Sequence, residues 1–308
     1  MAAPATSTTI QLDWRTTSLL VHPASATSLP TWPPTDYPGN MAYEDDLALA
    51  LSLADAVDAL TIAGSLADFA VEFKADDTPV TAIDRAAEQL IRDRLAAERP
   101  ADTIVGEEFG VTTGTESFTS PRRWVIDPID GTKNFVRGVP VWATLIGLIV
   151  DDVAVMGVVS APALGRRWYA AQGSGAWTVT TLPGFPIAPR RISVSGTSAL
   201  ADAFVSVSSL IGWENRDLLD PLLDLTRATA RTRAFGDFWS YMLVAEGAVD
   251  IACEPELALH DMTALVPIVT EAGGMFTSLG GTPGPFGGDA LATNGILHDK
   301  VLSILAAR

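Results

Sequence analysis

Hydrophobic positions along this chain switch between a helical and an extended period. Beyond Met41, residues Leu47, Leu51, Ala54, Val57 and Leu60 share one helical face, which predicts a helix over roughly 43–71. A polar loop, Asp76-Asp77-Thr78-Pro79, separates it from a second predicted helix. That helix starts near Ile83, carries Ala87, Leu90, Ile91 and Leu95 on its apolar side, and ends at about Ala97. Short apolar strands follow at 103–105 and 123–126, each running straight into acidic residues. The β-rich runs 143–150 and 153–160, joined by Asp151-Asp152, read as an antiparallel hairpin. Runs 168–171 and 176–179, split by Gly173-Ser174-Gly175, extend that sheet. Past a proline-rich link (Pro183, Pro186, Pro189) the pattern alternates: strand 203–207, helices 215–230 and 237–246, strand 248–253, helix 261–272 ending on Gly273-Gly274, strand 275–277 and a last helix 297–307. No internal repeat is visible.

Residues 1–40 show neither period. They hold 12 Ser/Thr and six Pro, and read as a disordered extension, with Met41 a possible biological start. The remainder divides into an N-terminal α+β half, 41–190, and a C-terminal α/β half, 191–308. Formal charge is −17, from 20 basic and 37 acidic residues, and the lysines are Lys74, Lys133 and Lys300 alone. That balance argues against nucleic acid, whose phosphates call for clustered cations. No uninterrupted apolar run reaches the ~18 residues of a spanning helix, so no membrane role is expected. The lone Cys253 cannot close an internal disulfide and suits a cytoplasmic setting. It lies in an apolar run and reads as a small core residue.

Candidate chemistry centres on Trp124-Val125-Ile126-Asp127-Pro128-Ile129-Asp130-Gly131-Thr132. An apolar strand ends in Asp, turns through Pro-Ile-Asp-Gly, and enters a helix at Thr132. Asp127 and Asp130 would then converge at a strand end beside backbone N–H groups suited to phosphate. Paired carboxylates with phosphate are what Mg²⁺ selects, although an Asx-turn and helix cap use the same residues. Gly106-Glu107-Glu108 also follows a short strand. Thr81 to Asp84 has capping-box spacing, and His260-Asp261 stands at a helix start. No Gly-x-Ser-x-Gly elbow, P-loop or Gly-x-Gly-x-x-Gly after a strand occurs, which disfavours serine hydrolases, P-loop NTPases and dinucleotide enzymes.

Three segments together resemble the inositol-monophosphatase-like, Mg²⁺-dependent phosphatases: Val105-Gly106-Glu107-Glu108, Asp127 through Phe135, and Asp261 with Glu271-Ala272-Gly273-Gly274. The likeness extends over 41–308. Within that family it is nearest to the histidinol-phosphatase type, on Thr78-Pro79-Val80-Thr81, Gly236 through Tyr241 and Val244 through Asp250. The resemblance implies a layered αβαβα sandwich, an α/β (α+β) fold with the first sheet mainly antiparallel and the site between the halves. It implies two or three Mg²⁺, or Mn²⁺, held by Glu107, Asp127, the Ile129 carbonyl, Asp130 and Asp261. Thr132 with Asp84 and Glu107 would act on the attacking water, the backbone of Gly131 and Thr132 would hold phosphate, and Glu254 would contact substrate hydroxyls. A homodimer is also implied. Two departures stand out: His260 occupies a position usually aromatic, and Thr263-Ala264 replace two small residues.

Hydrolysis of a phosphate monoester by direct water attack follows from that likeness. Histidinol phosphate carries an ammonium and an imidazole, so its pocket should hold extra acids. Asp237, Glu254 and Glu256 are candidates, with Trp239 or Tyr241 beside an imidazole. Asp237 is equally well placed to cap a helix, and the aromatics to fill core. Inositol or sugar-phosphate hydrolysis is the alternative, and a catalytically silent phosphatase-like binding module is the remoter one.

Overall fold

The computed structural model describes residues 43–67, 71–73, 79–114, 121–181 and 188–306. The 1–40 extension, Met41, Asp76 to Thr78, and Pro183 and Pro186 of the link lie outside those residues. The described chain opens with α1 (Glu44–Ser65), the paired strands β1 (Val71–Phe73) and β2 (Pro79–Thr81), and α2 (Ala82–Glu98). Next come β3 (Thr103–Gly106), β4 (Gly110–Thr112), β5 (Arg122–Asp130), α3 (Thr132–Val136), β6 (Ala143–Val150), β7 (Val153–Ala161), β8 (Arg166–Ala171), β9 (Ala176–Thr180) and β10 (Arg190–Ile192). A second series holds β11 (Phe204–Ser206), α4 (Leu210–Asn215), α5 (Leu219–Ala228), β12 (Arg231–Arg233), α6 (Asp237–Ala245) and β13 (Ile251–Glu254). It closes with α7 (Leu259–Thr263), α8 (Leu265–Glu271), β14 (Met275–Thr277), β15 (Ala290–Thr293) and α9 (His298–Leu305).

Strands from the first series form an eight-stranded sheet in the order β10-β9-β8-β7-β6-β5-β3-β4, antiparallel except between β3 and β5. Those from the second form a five-stranded sheet, β12-β11-β13-β15-β14. Alternation along each strand then decides what covers each face. Ile146, Leu148 and Val158 turn toward α1 and α2, whereas Leu145 and Val159 turn toward α6 and α8. In β13, Ala252 joins the α6–α8 layer, and Ile251 and Cys253 face α5 and α9. The layers are therefore α, β, α, β, α, the sandwich expected from the sequence.

Several element limits differ from the sequence pattern, each for a local reason. The first helix stops at Ser65, and Val71 instead pairs with Thr81. The helix expected over 215–230 shortens to α5, with Asp217 in a left-handed conformation before it and Pro221 in its first turn, and α4, which the pattern did not place, precedes it. Helix 261–272 is two helices. Pro267 cannot donate to Thr263 and crowds that carbonyl, so the chain breaks at Ala264. β15, at 290–293, fills the gap between β13 and β14. By length and composition α1 could cross a membrane, contrary to the sequence reading, but most of it is buried against the sheet and α2.

Opposed residues Gly147 and Gly157 of β6 and β7 admit the α7–α8 junction. A Cβ on Gly157 would sit 2.1 Å from the Ala264 carbonyl oxygen, and one on Gly147 2.5 Å from Thr263 Cγ2. Thr263 and Ala264, flagged by the sequence, are thus the contact that seats Asp261 over the first sheet.

Candidate active site

Parallel pairing of β3 with β5 sets Gly106 beside Ile126, and the Glu107 N–H donates to the Ile126 carbonyl. Glu107 and Asp127 consequently leave adjacent strands side by side. Strand β5 continues past Asp127, where the sequence pattern ended it, through an irregularity between Asp127 and Asp130 in its pairing with β6. Asp127 Oδ1 accepts the Ile129 N–H at 3.0 Å, so the Asx-turn is real and leaves Oδ2 for the site. Thr144 secures the Pro128 carbonyl and Thr132 Oγ1 donates to the Ile129 carbonyl, 2.9 Å. Gly131, in a left-handed conformation, then turns the chain into α3.

From the second half, α7 brings Asp261, whose Oδ2 accepts the Ala258 N–H at 2.7 Å. The N-terminus of α6 brings Asp237, and the Phe238 N–H donates to Asp130 Oδ2 at 2.8 Å. Asn134 holds Asp237 Oδ2 at 2.8 Å. Glu254, at the end of β13, receives Ser208 Oγ on Oε2, and its Oε1 is buried with no hydrogen bond. Asp84 caps α2 as its spacing predicts, taking the Thr81 N–H and hydroxyl on Oδ2, while its buried Oδ1 makes no hydrogen bond.

Carboxylate oxygens of Asp127, Asp130 and Asp261 lie within 4.8 Å of one another, and ligand atoms of Glu107, Asp127 and His260 form a second such group. Their electrostatics follow from this crowding. Burial pushes Asp127 well above the usual carboxylate range, with Glu107, Asp130 and Asp261 pushing the same way. Burial also raises Asp130, reinforced by Asp237 and Asp261. In Asp261 burial outweighs the lowering by His260 and the Ala258 N–H. Burial and Asp261 lift Asp237 to about 6 against the pull of Lys133. Glu254 is pushed up to about 8, first by burial. Asp84 is raised by burial, opposed by its Thr81 bonds. Converging hard oxygens that disfavour their own ionisation fit a small divalent cation, which would restore the charged forms.

The structure thus brings together Glu107, Asp127, Asp130, Asp261, Asp237 and Glu254, from both halves. It does not bring Glu256, which pairs with Arg216 at 3.4 Å on the surface beyond the end of β13. Tyr241 is buried against Phe276 close to Glu254 and Asp261, and the half-buried Trp239 packs on Phe235. Cys253 is buried and its thiol is pushed up by burial. Glu271 of the Glu-Ala-Gly-Gly motif accepts the Gly173 and Gly175 N–H groups, fixing the β8–β9 turn.

Sequence reasoning missed Glu88. Fully buried, it accepts the Glu108 and Phe109 N–H groups at 2.7 and 3.2 Å and pairs with Arg92, which reaches the Gly110 carbonyl. Asp84 and Glu88 are one helical turn apart, so α2 both presents one acid and clamps the turn bearing Glu107. Gly106 makes room: a Cβ there would lie 1.9 Å from Glu88 Oε1. The signal was an acid inside the Ala87–Ile91–Leu95 stripe.

An αβαβα sandwich that gathers Glu107, Asp127, Asp130 and Asp261 into one acidic cluster has the architecture of a hydrolase of phosphate monoesters. The sequence model of the Inositol monophosphatase family matches residues 44–307, and the chain belongs to that family. It is 56% identical over 271 residues to a histidinol-phosphatase of Streptomyces coelicolor, covering 86% of this chain and 98% of that protein. A histidinol-phosphatase of Mycobacterium tuberculosis is 53% identical over 264 residues, covering 85% and 98%. Among solved structures, an inositol monophosphatase from Zymomonas mobilis superposes with a TM-score of 0.73 at 32% identity, covering 87% of this chain and all of that one.

Proposed function

We propose that this protein is a Mg²⁺-dependent histidinol-phosphatase, converting L-histidinol phosphate and water to L-histidinol and phosphate. The observation that carries the substrate is the pair of extra acids beside Asp130 and Asp261: Asp237, and Glu254 with its buried, unpartnered Oε1. Either acid could accept a polyol hydroxyl, but an ammonium would in addition hold both in their ionised form. Identity above 50% to two histidinol-phosphatases supports the same reading.

Glu107, Asp127, the Ile129 carbonyl, Asp130 and Asp261 would hold the cations, two or three in number. Bound Mg²⁺ supplies charge neutralisation at the phosphoryl oxygens and lowers the pKa of water. The chain's own groups do the rest. Backbone N–H groups of Gly131 and Thr132 orient the phosphate. Thr132 Oγ1 spends its hydrogen on the Ile129 carbonyl, so its lone pairs face the water as acceptors. Asp84 Oδ1 completes the placement and accepts the proton that water loses. Asp237 and Glu254 hold the amino end, fixing the ester oxygen in line with attack. A cytoplasmic homodimer is the setting we infer from the resemblance.

Comparing kcat/KM for L-histidinol phosphate and myo-inositol 1-phosphate, with and without Mg²⁺, tests the proposal. A clear preference for the amino alcohol ester, seen only with the cation, is expected. A ratio near unity or favouring inositol would sink the substrate assignment.

A further inference from the structure

His260 and His298 are the histidines among the described residues, and they differ in one respect. His298 is a satisfied core histidine: its Nε2 meets Thr277 Oγ1 and its Nδ1 meets Thr293 Oγ1, each at 3.0 Å, and it is buried. The imidazole of His260 makes no hydrogen bond among the described residues. Its Nε2 lies 3.6 Å from Asp261 Oδ1, beyond a good hydrogen bond, and one of its nitrogens lies within 4.8 Å of ligand atoms of both Glu107 and Asp127. The ring is 23% exposed, open enough for a cation to enter.

A cation about 2.1 Å from each donor brings neighbouring donors to about 3 Å and opposed ones to about 4.2 Å. Three donors that already sit within 4.8 Å therefore need only rotamer-scale closure around a shared ion. The backbone favours the same outcome. The Ala258 N–H occupies Asp261 Oδ2, and α7 packs on β5 and β6, so His260 is carried to the Glu107–Asp127 edge while Asp261 serves Asp127 and Asp130. Two adjacent residues of one short helix thereby face two different groups of ligands.

We propose that His260 supplies a nitrogen ligand to the cation held by Glu107 and Asp127, an inference that rests on the metal-dependent reading above. One position is then mixed nitrogen and oxygen, and the Asp127–Asp130–Asp261 position is all oxygen. Imidazole favours later first-row metals over Mg²⁺, whereas carboxylates alone suit Mg²⁺. The Glu107–Asp127–His260 position should therefore discriminate: Mn²⁺ binds there more tightly than Mg²⁺, and His260 is the source of the difference.

Electron spin-echo envelope modulation of the full-length protein loaded with Mn²⁺ tests this directly. Modulation from directly bound ¹⁴N is expected in the wild type and lost in His260→Ala and His260→Gln. Calorimetric titration should show Mn²⁺ affinity falling by about tenfold or more in both variants, and Mg²⁺ affinity by less than about threefold. Mn²⁺ uptake by the wild type without nitrogen modulation, or modulation that persists in both variants, overturns the role of His260 alone. Failure to take up Mn²⁺ or Mg²⁺ at all overturns the metal centre itself. The wild-type spectrum decides the matter even if a variant folds poorly, and melting in EDTA identifies such a variant.

Discussion

Asp237 has φ 46°, and Gly236 before it has φ 77° with ψ 168°, so two successive residues have positive φ. Asp tolerates that region better than most side chains. The turn aims the Phe238 N–H at Asp130 and lets Asn134 hold the Asp237 carboxylate. Asp237 therefore enters the site by backbone geometry as much as by charge, and the capping role weighed from sequence is set aside: it makes no cap of α6. Asp237→Asn keeps the shape and removes the charge. A charged hydrogen bond contributes about 1.5–3 kcal/mol. The variant should lose about tenfold or more in kcat/KM on L-histidinol phosphate and far less on a neutral sugar phosphate. Equal losses on both would reduce Asp237 to a structural part.

Among the elements, α2 carries the most consequence. Its Glu88–Arg92 pair is buried, and removing one member of such a pair costs about 3–5 kcal/mol. Glu88→Gln should lower the melting temperature and, because the Glu107 turn loosens, raise the Mg²⁺ dissociation constant; a melt and a calorimetric titration on one preparation report both. The crossing of α7–α8 over β6 and β7 offers an independent check. Gly157→Ala forces its methyl against the Ala264 carbonyl, and overpacking of this kind costs about 1–3 kcal/mol. Denaturant unfolding should register that loss, together with weaker Mg²⁺ binding through the displaced Asp261. An unchanged midpoint would contradict the close approach.

Elements with a strong period were legible in the sequence. α2, the β6–β7 hairpin and β14 lie where their patterns placed them. Helix α4, the late start of α5 after Asp217 and the break at Ala264 were not legible, although Pro221 and Pro267 were available warnings. The three-residue strands β4, β10 and β12 exist only through their partners, and no local preference could announce them. In the site, Glu107 and Asp127 drew notice by standing straight after short apolar strands and Asp130 by the turn that follows, whereas Asp261 was singled out at a helix start and through the family resemblance. Glu88 was not singled out, and His260 only as a departure from the family pattern, since the burial of one and the approach of the other to Glu107 and Asp127 are unseen in one dimension.

At the scale of the molecule the site is a store of unfavourable charge. Asp237 and Glu254 titrate in the fold at about 6 and 8, above their unfolded values of 3.8 and 4.5. A carboxyl raised by folding contributes stability below its unfolded pKa and withdraws it as pH climbs through the folded one. The cation-free protein should therefore lose melting temperature between about pH 4.5 and 8. Mg²⁺ reverses the sign of the problem, so its stabilisation should grow over that range and reach about 2.7 kcal/mol at a hundredfold excess over Kd. Melting curves in EDTA and in Mg²⁺ across that range test both statements. A cation-free curve that is flat or rising would refute the account. The same store explains part of the formal −17: Glu107, Asp127, Asp130, Asp261, Asp237 and Glu254 crowd one site that a counter-ion would relieve.

The apolar helix α1 bears on how the chain is made. Inside it, Asp58 is buried and pairs with Arg167 at 2.7 Å, with Ser160 donating to the same oxygen. Those partners lie 109 and 102 residues further along. At about 5–20 residues per second, ribosomes leave α1 waiting roughly 5–20 s for the strands that cover it. Throughout that interval it is a stretch that the secretion machinery could mistake for a membrane anchor. An Asp near the middle of such a stretch adds about 2.5–3.5 kcal/mol to the cost of insertion. Before it joins an ion pair in the finished fold, Asp58 raises the cost of placing this stretch in a bilayer.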